Sequence, residues 1–564
     1  MDDERGGAVS AVPDLVFLNG RVFTSDPARP YAQAVAVRGG RIAAVGSEAE
    51  VARTRGPRTE IVDLAGGLVL PGFVDAHVHP IKGGMERSRC NLAELSGLDA
   101  YLERIGAYAA AHPDRAWVEG GGWSLSAFPG GLPRREALDR VCPDRPAYLI
   151  NSDHHGAWVN SRGLELAGID ASTPDPVDGR IERDADGRPT GMLHEGAMDL
   201  VGRVLPRADP AEYAAGLADA QRYLFSYGIT GWQDAIVGPY AGYDDPLPTY
   251  LDAARSGALK ARVTGALWWD RARGAEQIEE LEARRARAEG LGRFRAGSVK
   301  IMQDGIAENF TAGMLDPYLD ASGCPCEERG LSYVDPAELR GHVAELDRRG
   351  FQVHFHAIGD RAVREALDSL AAARSANGPG DLRHHIAHLQ VVHPDDVPRF
   401  AELGVAANLQ ALWATHHHQM DELTTPFLGP ERDARQYPFG DLLRTGARVC
   451  MGSDWPVTTP NPMAAIHVAA HRTEPTHEAR AAWPAASTPF QPHQRIALAE
   501  ALHAYTAGSA WINHAETEAG TLTPGLRADL AVLDRDPFAL DPMDIGTTEV
   551  RMTFVDGEAV YERA

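Results

Sequence analysis

Short apolar runs broken by turn residues mark both ends of the chain. DLVFLNGRVFTSD, AVAVRGGRIAAVGS and TEIVDLAG, within residues 14–64, each carry a strand-length apolar stretch, with Asn19-Gly20 and Gly39-Gly40 as tight-turn dipeptides. They predict a small antiparallel β unit. RADLAVLDRD (527–536) and VRMTFVDGEAVYER (550–563) echo it at the other end, the second as a hairpin around Asp556-Gly557. Two β-rich ends flanking a long middle suggest that both termini build one composite domain.

The middle alternates strand-like runs with helical periodicity, the signature of βα units and a parallel sheet. Strands are expected at 145–152, 229–235, 261–269, 297–305, 351–359, 384–390, 404–410 and 447–455. DRAVREALDSLAAA and PAELRGHVAELDRRG have helical apolar spacing. Residues 66–78 read as a strand, a Pro71-Gly72 break, and a second strand running into PGFVDAHVHP. Residues 81–200 are less regular and predict an insertion.

Composition narrows the function classes. The chain has 564 residues, 44% hydrophobic and 24% charged, which suits one large catalytic domain with an accessory one. Its 55 basic and 79 acidic residues give a net charge of −24, which argues against unaided binding to nucleic acid or an anionic membrane. The five cysteines form no closely spaced framework, and Cys324-Pro325-Cys326 lies in a loop-like stretch, so neither a disulfide scaffold nor a thiolate metal site is expected. The N-terminus lacks a secretory h-region and no 18-residue apolar run occurs, so a cytoplasmic location is expected.

Candidate chemistry gathers at predicted strand ends. Side chains alternate along a strand, so His77 and His79 face one way, as two imidazoles aimed at one metal would. His354 and His356 repeat the spacing in FQVHFHAIGD; His388 ends RHHIAHLQ, Asp454 ends RVCMGSDW and Lys300 ends GSVK. In a parallel barrel this edge carries the catalytic groups. Trp123, Phe128, Trp158, Phe310, Trp413 and Trp455 lie beside these motifs, where they would line an apolar substrate pocket or pack a core. His416 to His418 are expected in a solvent-exposed loop. Glu195 opens a helix, which the helix dipole alone would explain.

Together LVLPGFVDAHVHP, DRPAYLINSDHHGAWVNSRGLELAGID, PTGMLHEGA, VKIMQDGIAENFTA, HFHAIGDRAV, IAHLQ, GSDWPV and GTLTPGLRADLAVLD resemble the amidohydrolase superfamily, in its branch of YtcJ-like and N-substituted formamide deformylase-like enzymes. The resemblance spans nearly the whole chain. It implies an α/β fold, a (β/α)8 TIM-type barrel over 73–516, with a small composite β-sandwich from 1–72 and 517–564. It also implies that His77 and His79 bind the more buried metal, with His356 and His388 at a second position or on the substrate carbonyl. Asp454 would be the general base, and Lys300 matches a lysine that some relatives carboxylate as a metal bridge; unmodified, it would pair with Asp304. Where relatives show Asp-Gly-His this chain has Asp153-His154-His155, so His155 is the equivalent catalytic histidine, and Glu195 sits near the active site.

The function so implied is hydrolysis of a C–N bond in a small, largely apolar N-acyl compound, N-substituted formamides being the most concrete case, with zinc or a similar divalent ion, one or two per chain, as cofactor. Cyclic amides, imides or carbamates are the alternative substrates, and a non-catalytic small-molecule-binding protein the alternative class. The partner is a small molecule; a homodimer is a common state for such enzymes.

Overall fold

The structure, a computed structural model, describes residues 12–563; the secretory-signal reading of the N-terminus falls partly on 1–11, outside them. Eight parallel strands form the central sheet: β1 (Phe73–Val78), β2 (Ile229–Val237), β3 (Arg262–Trp268), β4 (Phe294–Met302), β5 (Gln352–Ala357), β6 (His385–His388), β7 (Ala406–Leu409) and β8 (Val449–Met451). Neighbours in sequence are neighbours in space, with β1 and β8 at the two ends of the order.

Those ends meet. Just past β8, the Asp454 N–H donates to the His77 carbonyl at 2.7 Å, and the His79 N–H donates to the Trp455 carbonyl at 2.8 Å. The Asn408 amide on β7 reaches the Ala76 carbonyl at 2.9 Å. The sheet is thereby a TIM-type barrel. Covered on both faces, its strands read as near-continuous apolar runs, and β1, β5, β6 and β7 are buried at every position. The two helices with clear apolar spacing are Pro336–Arg348 and Asp360–Asn377, on either side of β5.

Between β1 and β2 the chain builds a six-stranded mixed sheet, from Cys90–Asn91 to Pro189–Glu195. The strand expected at 145–152 is Ala147–Asn151 of this sheet, so it is not a barrel strand. Periodicity cannot distinguish the two, because Ala147–Asn151 is also buried along its whole length. Helices Pro80–Ser88 and Pro210–Ser226 bracket the insertion and pack together: a Cβ on Gly84 would lie 2.0 Å from the Gly216 carbonyl oxygen.

Strands from both ends of the chain share one sheet, in which Leu530–Leu533 pairs antiparallel with Leu68–Pro71. A four-stranded sheet of N-terminal strands, including Leu15–Leu18 and Ala34–Arg38, shares a core with it through Phe17, Val22, Val37, Val532 and Phe554. Two expectations here are corrected. Leu15–Leu18 runs parallel to Glu60–Asp63, so the unit is mixed, not antiparallel. Asn19-Gly20 joins strands of different sheets, and a Cβ at Gly20 would lie 2.5 Å from the Gly67 carbonyl oxygen, so the glycine serves the close approach and not a two-stranded hairpin.

Candidate active site

The C-terminal ends of the barrel strands surround a cavity of about 310 Å³ lined by His77, His79, Lys300, His356, His388 and Asp454. Strand register sets their level: His354 lies opposite Lys300, His356 opposite Met302, and His388 opposite Ala357. Asp454 sits in a left-handed turn, φ 59°, that swings its carboxylate back over β1. One oxygen, Oδ1, lies 3.2 Å from His77 Nε2 and 3.1 Å from His79 Nε2.

His77, His388 and Asp454 offer ligand atoms within 4.8 Å of one another, and all three are buried. Both ring nitrogens of His388 are buried without a hydrogen-bond partner, as is Lys300 Nζ. Buried polar atoms without a partner are costly, and ligation would satisfy one of the two His388 nitrogens. The residues present therefore fit a divalent cation. His356 stands beside them, its ring 4.4 Å from that of His388 and its Nδ1 3.2 Å from Asp304 Oδ1.

Burial sets the charge states. It pushes the His77 imidazole down to about 3 and holds those of His356 and His388 well below their ordinary value, so all are neutral. Burial works against the Asp454 carboxylate, but the surrounding imidazoles hold it well below the usual range. Lys300 is pushed down to about 7 by burial, against the pull of Asp454. It does not pair with Asp304, whose carboxylate accepts instead from the Gly313, Ile358 and Gly359 N–H groups.

His155 lines the cavity, and its Nδ1 lies 2.8 Å from Glu195 Oε2. The Thr311 hydroxyl donates to the other Glu195 oxygen at 2.8 Å. Burial opposes the charge on Glu195, yet His155 and Thr311 hold its pKa at about 2. Glu195 therefore positions His155 and does not face the cavity; the dipole of a helix is not its main partner. His154 turns to Glu86, 3.3 Å away.

The aromatic residues divide. Trp413 lines the cavity with its ring stacked on His388 at 5.3 Å. Trp123, Phe128 and Trp158 instead pack edge to face in the core of the inserted sheet, and the Trp123 indole N–H donates to the Leu149 carbonyl. Phe310 packs on Tyr318 and Phe427. Trp455 packs beside Tyr223 and under Gly83, behind the site. An aromatic side chain reads the same in sequence whether it faces a core or a pocket.

Other wall residues escaped the sequence reading. Of the His416 to His418 run, His417 lines the cavity, while the His418 side chain is partly exposed; the His416 and Asp421 side chains are 2.7 Å apart. Lys82, Glu308 and Tyr240 also line it. Lys82 had a signal, since it lies one helical turn beyond the His77-His79 pair.

The sequence profile described as the amidohydrolase family, Amidohydro_3, matches residues 60–561. Protein LONG AFTER FAR-RED 3 of Arabidopsis thaliana is 32% identical over 98% of this chain and 92% of its own length. The N-substituted formamide deformylase of Arthrobacter pascens is 29% identical over 98% of each chain. The crystal structure of an uncharacterized metal-dependent hydrolase from Pyrococcus furiosus superposes with a TM-score of 0.68 at 25% identity, covering 94% of this chain and 99% of that one. With a match across most of its length and a barrel whose strand ends gather His77, His388 and Asp454, the chain belongs to the amidohydrolase family.

Proposed function

We propose that the protein is a metal-dependent hydrolase that cleaves the C–N bond of a small, largely apolar N-acyl compound, and that N-substituted formamides are its substrates. The observation that carries the reading is the buried grouping of His77, His388 and Asp454, whose ligand atoms lie within 4.8 Å of one another at the cavity. His77 and His79 would hold the more buried ion, with His356 and His388 at a second position or on the substrate carbonyl and a carboxylated Lys300 between them; the close grouping of His77, His388 and Asp454 supports an ion at this point. A divalent ion such as zinc, when bound, acidifies water and polarises a carbonyl oxygen. Lys300, pushed down to about 7, has the neutral amine that carboxylation requires.

The chain's own groups supply the rest. Asp454 accepts a proton from the attacking water and returns it to the departing amine, which would otherwise be a poor leaving group. His155, fixed through Nδ1 by Glu195, keeps Nε2 free toward the substrate carbonyl. Ile81, Ile236, Met302, Ile306, Leu412 and Trp413 provide apolar wall for the amine substituent. A small-molecule partner and a cytoplasmic setting accord with a net charge of −24, and no helix among the described residues is long and apolar enough to cross a membrane. The terminal sheets, residues 1–72 and 517–564, form in this reading a β-sandwich beside the barrel.

The test is metal content of protein purified without chelator, followed by turnover of matched N-substituted formamides, acetamides and cyclic amides. Bound metal and preferential formamide cleavage are expected. Cleavage of another amide alone would overturn the formamide assignment; absence of metal even after zinc reconstitution would overturn the hydrolase reading.

A further inference from the structure

Beneath the candidate metal ligands lies a pile of imidazoles that the proposed reaction does not use. His354, on β5, is fully buried and does not line the cavity. Its Nε2 lies 2.8 Å from His77 Nδ1, on the side of that ring away from Asp454. The His354 ring rests against His385, their centroids 4.0 Å apart. His385 Nδ1 in turn lies 3.2 Å from the Asn408 amide nitrogen, which also donates to the Ala76 carbonyl one residue before His77. Gln410 continues the chain, donating to Asn408 Oδ1 and accepting from the His388 N–H at 2.7 Å.

From this geometry we infer that His354 is the positioning residue that sets the tautomer and ring angle of His77 for ligation. A neutral imidazole has one N–H and one lone pair. His77 can present its Nε2 lone pair beside Asp454 only if its proton sits on Nδ1, and the atom facing Nδ1 is His354 Nε2. His354 must then accept that hydrogen bond and carry its own proton on Nδ1, an atom buried without a hydrogen-bond partner, so the arrangement costs an unpaired N–H that metal ligation at His77 must outweigh. The tilted ring contact with His385, itself held by Asn408, backs the acceptor, so the ligand ring cannot flip without disturbing three strands. Partners of this kind behind a metal-bound histidine are typically worth ten- to a hundredfold in metal affinity.

The inference rests on the metal reading above, and the experiment separates the two. Zinc affinity of the full chain is measured by competition with a chromophoric chelator for wild type, His354→Leu and His354→Gln, each checked by thermal melting. Glutamine can offer a carbonyl acceptor to His77 Nδ1–H; leucine cannot. Zinc binding is expected to weaken about ten- to a hundredfold in His354→Leu and to recover most of that loss in His354→Gln. Equal affinity in all three, or equal loss in both folded variants, overturns the inference while leaving the metal centre standing. Should the leucine variant not fold, ¹⁵N-histidine spectra of the zinc-loaded wild type decide: a His77 ring protonated on Nδ1 and ligated through Nε2 is expected, and the opposite tautomer overturns it. No zinc uptake by the wild type would overturn the metal reading and this inference with it.

Discussion

Asp454 is the residue on which the site turns. Its left-handed backbone directs one carboxylate oxygen between His77 and His79 while its N–H pins the His77 carbonyl, so it helps close the barrel and joins the candidate ligands at once. His388 shares the unusual conformation, φ 79°, and such positions in non-glycine residues concentrate at functional sites. Asp454→Asn preserves shape but cannot take a proton. We expect kcat to fall about 10²- to 10⁴-fold at saturating zinc, read by amide turnover alongside metal content. A variant with full metal and near-normal turnover would remove Asp454 from the general-base role. The histidines of PGFVDAHVHP could be picked out because a period of two is visible in one dimension. Pocket and core readings stood side by side for Trp123, Trp158, Phe310, Trp413 and Trp455, and only Trp413 of these lines the cavity, because nothing in a sequence says which wall a loop aromatic meets.

At the scale of the element, the helix Pro80–Ser88 begins on His79 itself and lies in close approach to Pro210–Ser226. The second helix is firmly started, with a capping box between Asp209 and Glu212 and Pro210 in its first turn. Gly84 is what allows the pair to meet, because backbone cannot yield as a side chain could. Gly84→Ala should force the helices apart, at a cost of about 1–3 kcal/mol and a lower melting temperature, with weaker zinc binding as His79 shifts. An unchanged melting temperature would show that the contact carries no weight. Element types were legible where periodicity was long, as in Asp360–Asn377. Partnership was not: Ala147–Asn151 has the apolar run of a barrel strand and pairs in the inserted sheet, and Leu15–Leu18 and Arg21–Phe23 flank a hairpin dipeptide yet part company.

For the whole molecule, several carboxyl groups are enclosed without cations. Burial pushes Asp234 on β2 up to about 7, with the Tyr250 hydroxyl donating to it at 2.7 Å, and Asp75 and Asp304 are likewise raised to about 7. In the unfolded chain an aspartate titrates near about 3.9. The folded state therefore holds protons on these three groups that the unfolded state has released, so their contribution to stability is full below that pKa and is lost as pH rises through the window up to about 7, while the buried neutral histidines contribute in the opposite sense over the same range. Each such group contributes a slope of up to about 1.4 kcal/mol per pH unit. Asp234→Asn should make the slope of denaturant-measured stability against pH between about 4 and about 7 more positive than that of wild type, because one group that loses its contribution over that window is gone. A slope identical to wild type would mean that Asp234 is ionised in the folded chain.

What the sequence determined by itself was local and periodic: strands alternating with helices, the two β-rich ends, and ligand-type residues at predicted strand ends, since hydrophobic patterning and turn chemistry act between near neighbours. Tertiary structure decided what depends on direction and distance across the chain. It set His388 with His77 and Asp454, turned Glu195 onto His155, left Lys300 free of Asp304, and put His354 behind His77, 277 residues away. The physical reason is that a side chain's partner is fixed by strand register and barrel closure, and both arise only when distant segments bury their faces together.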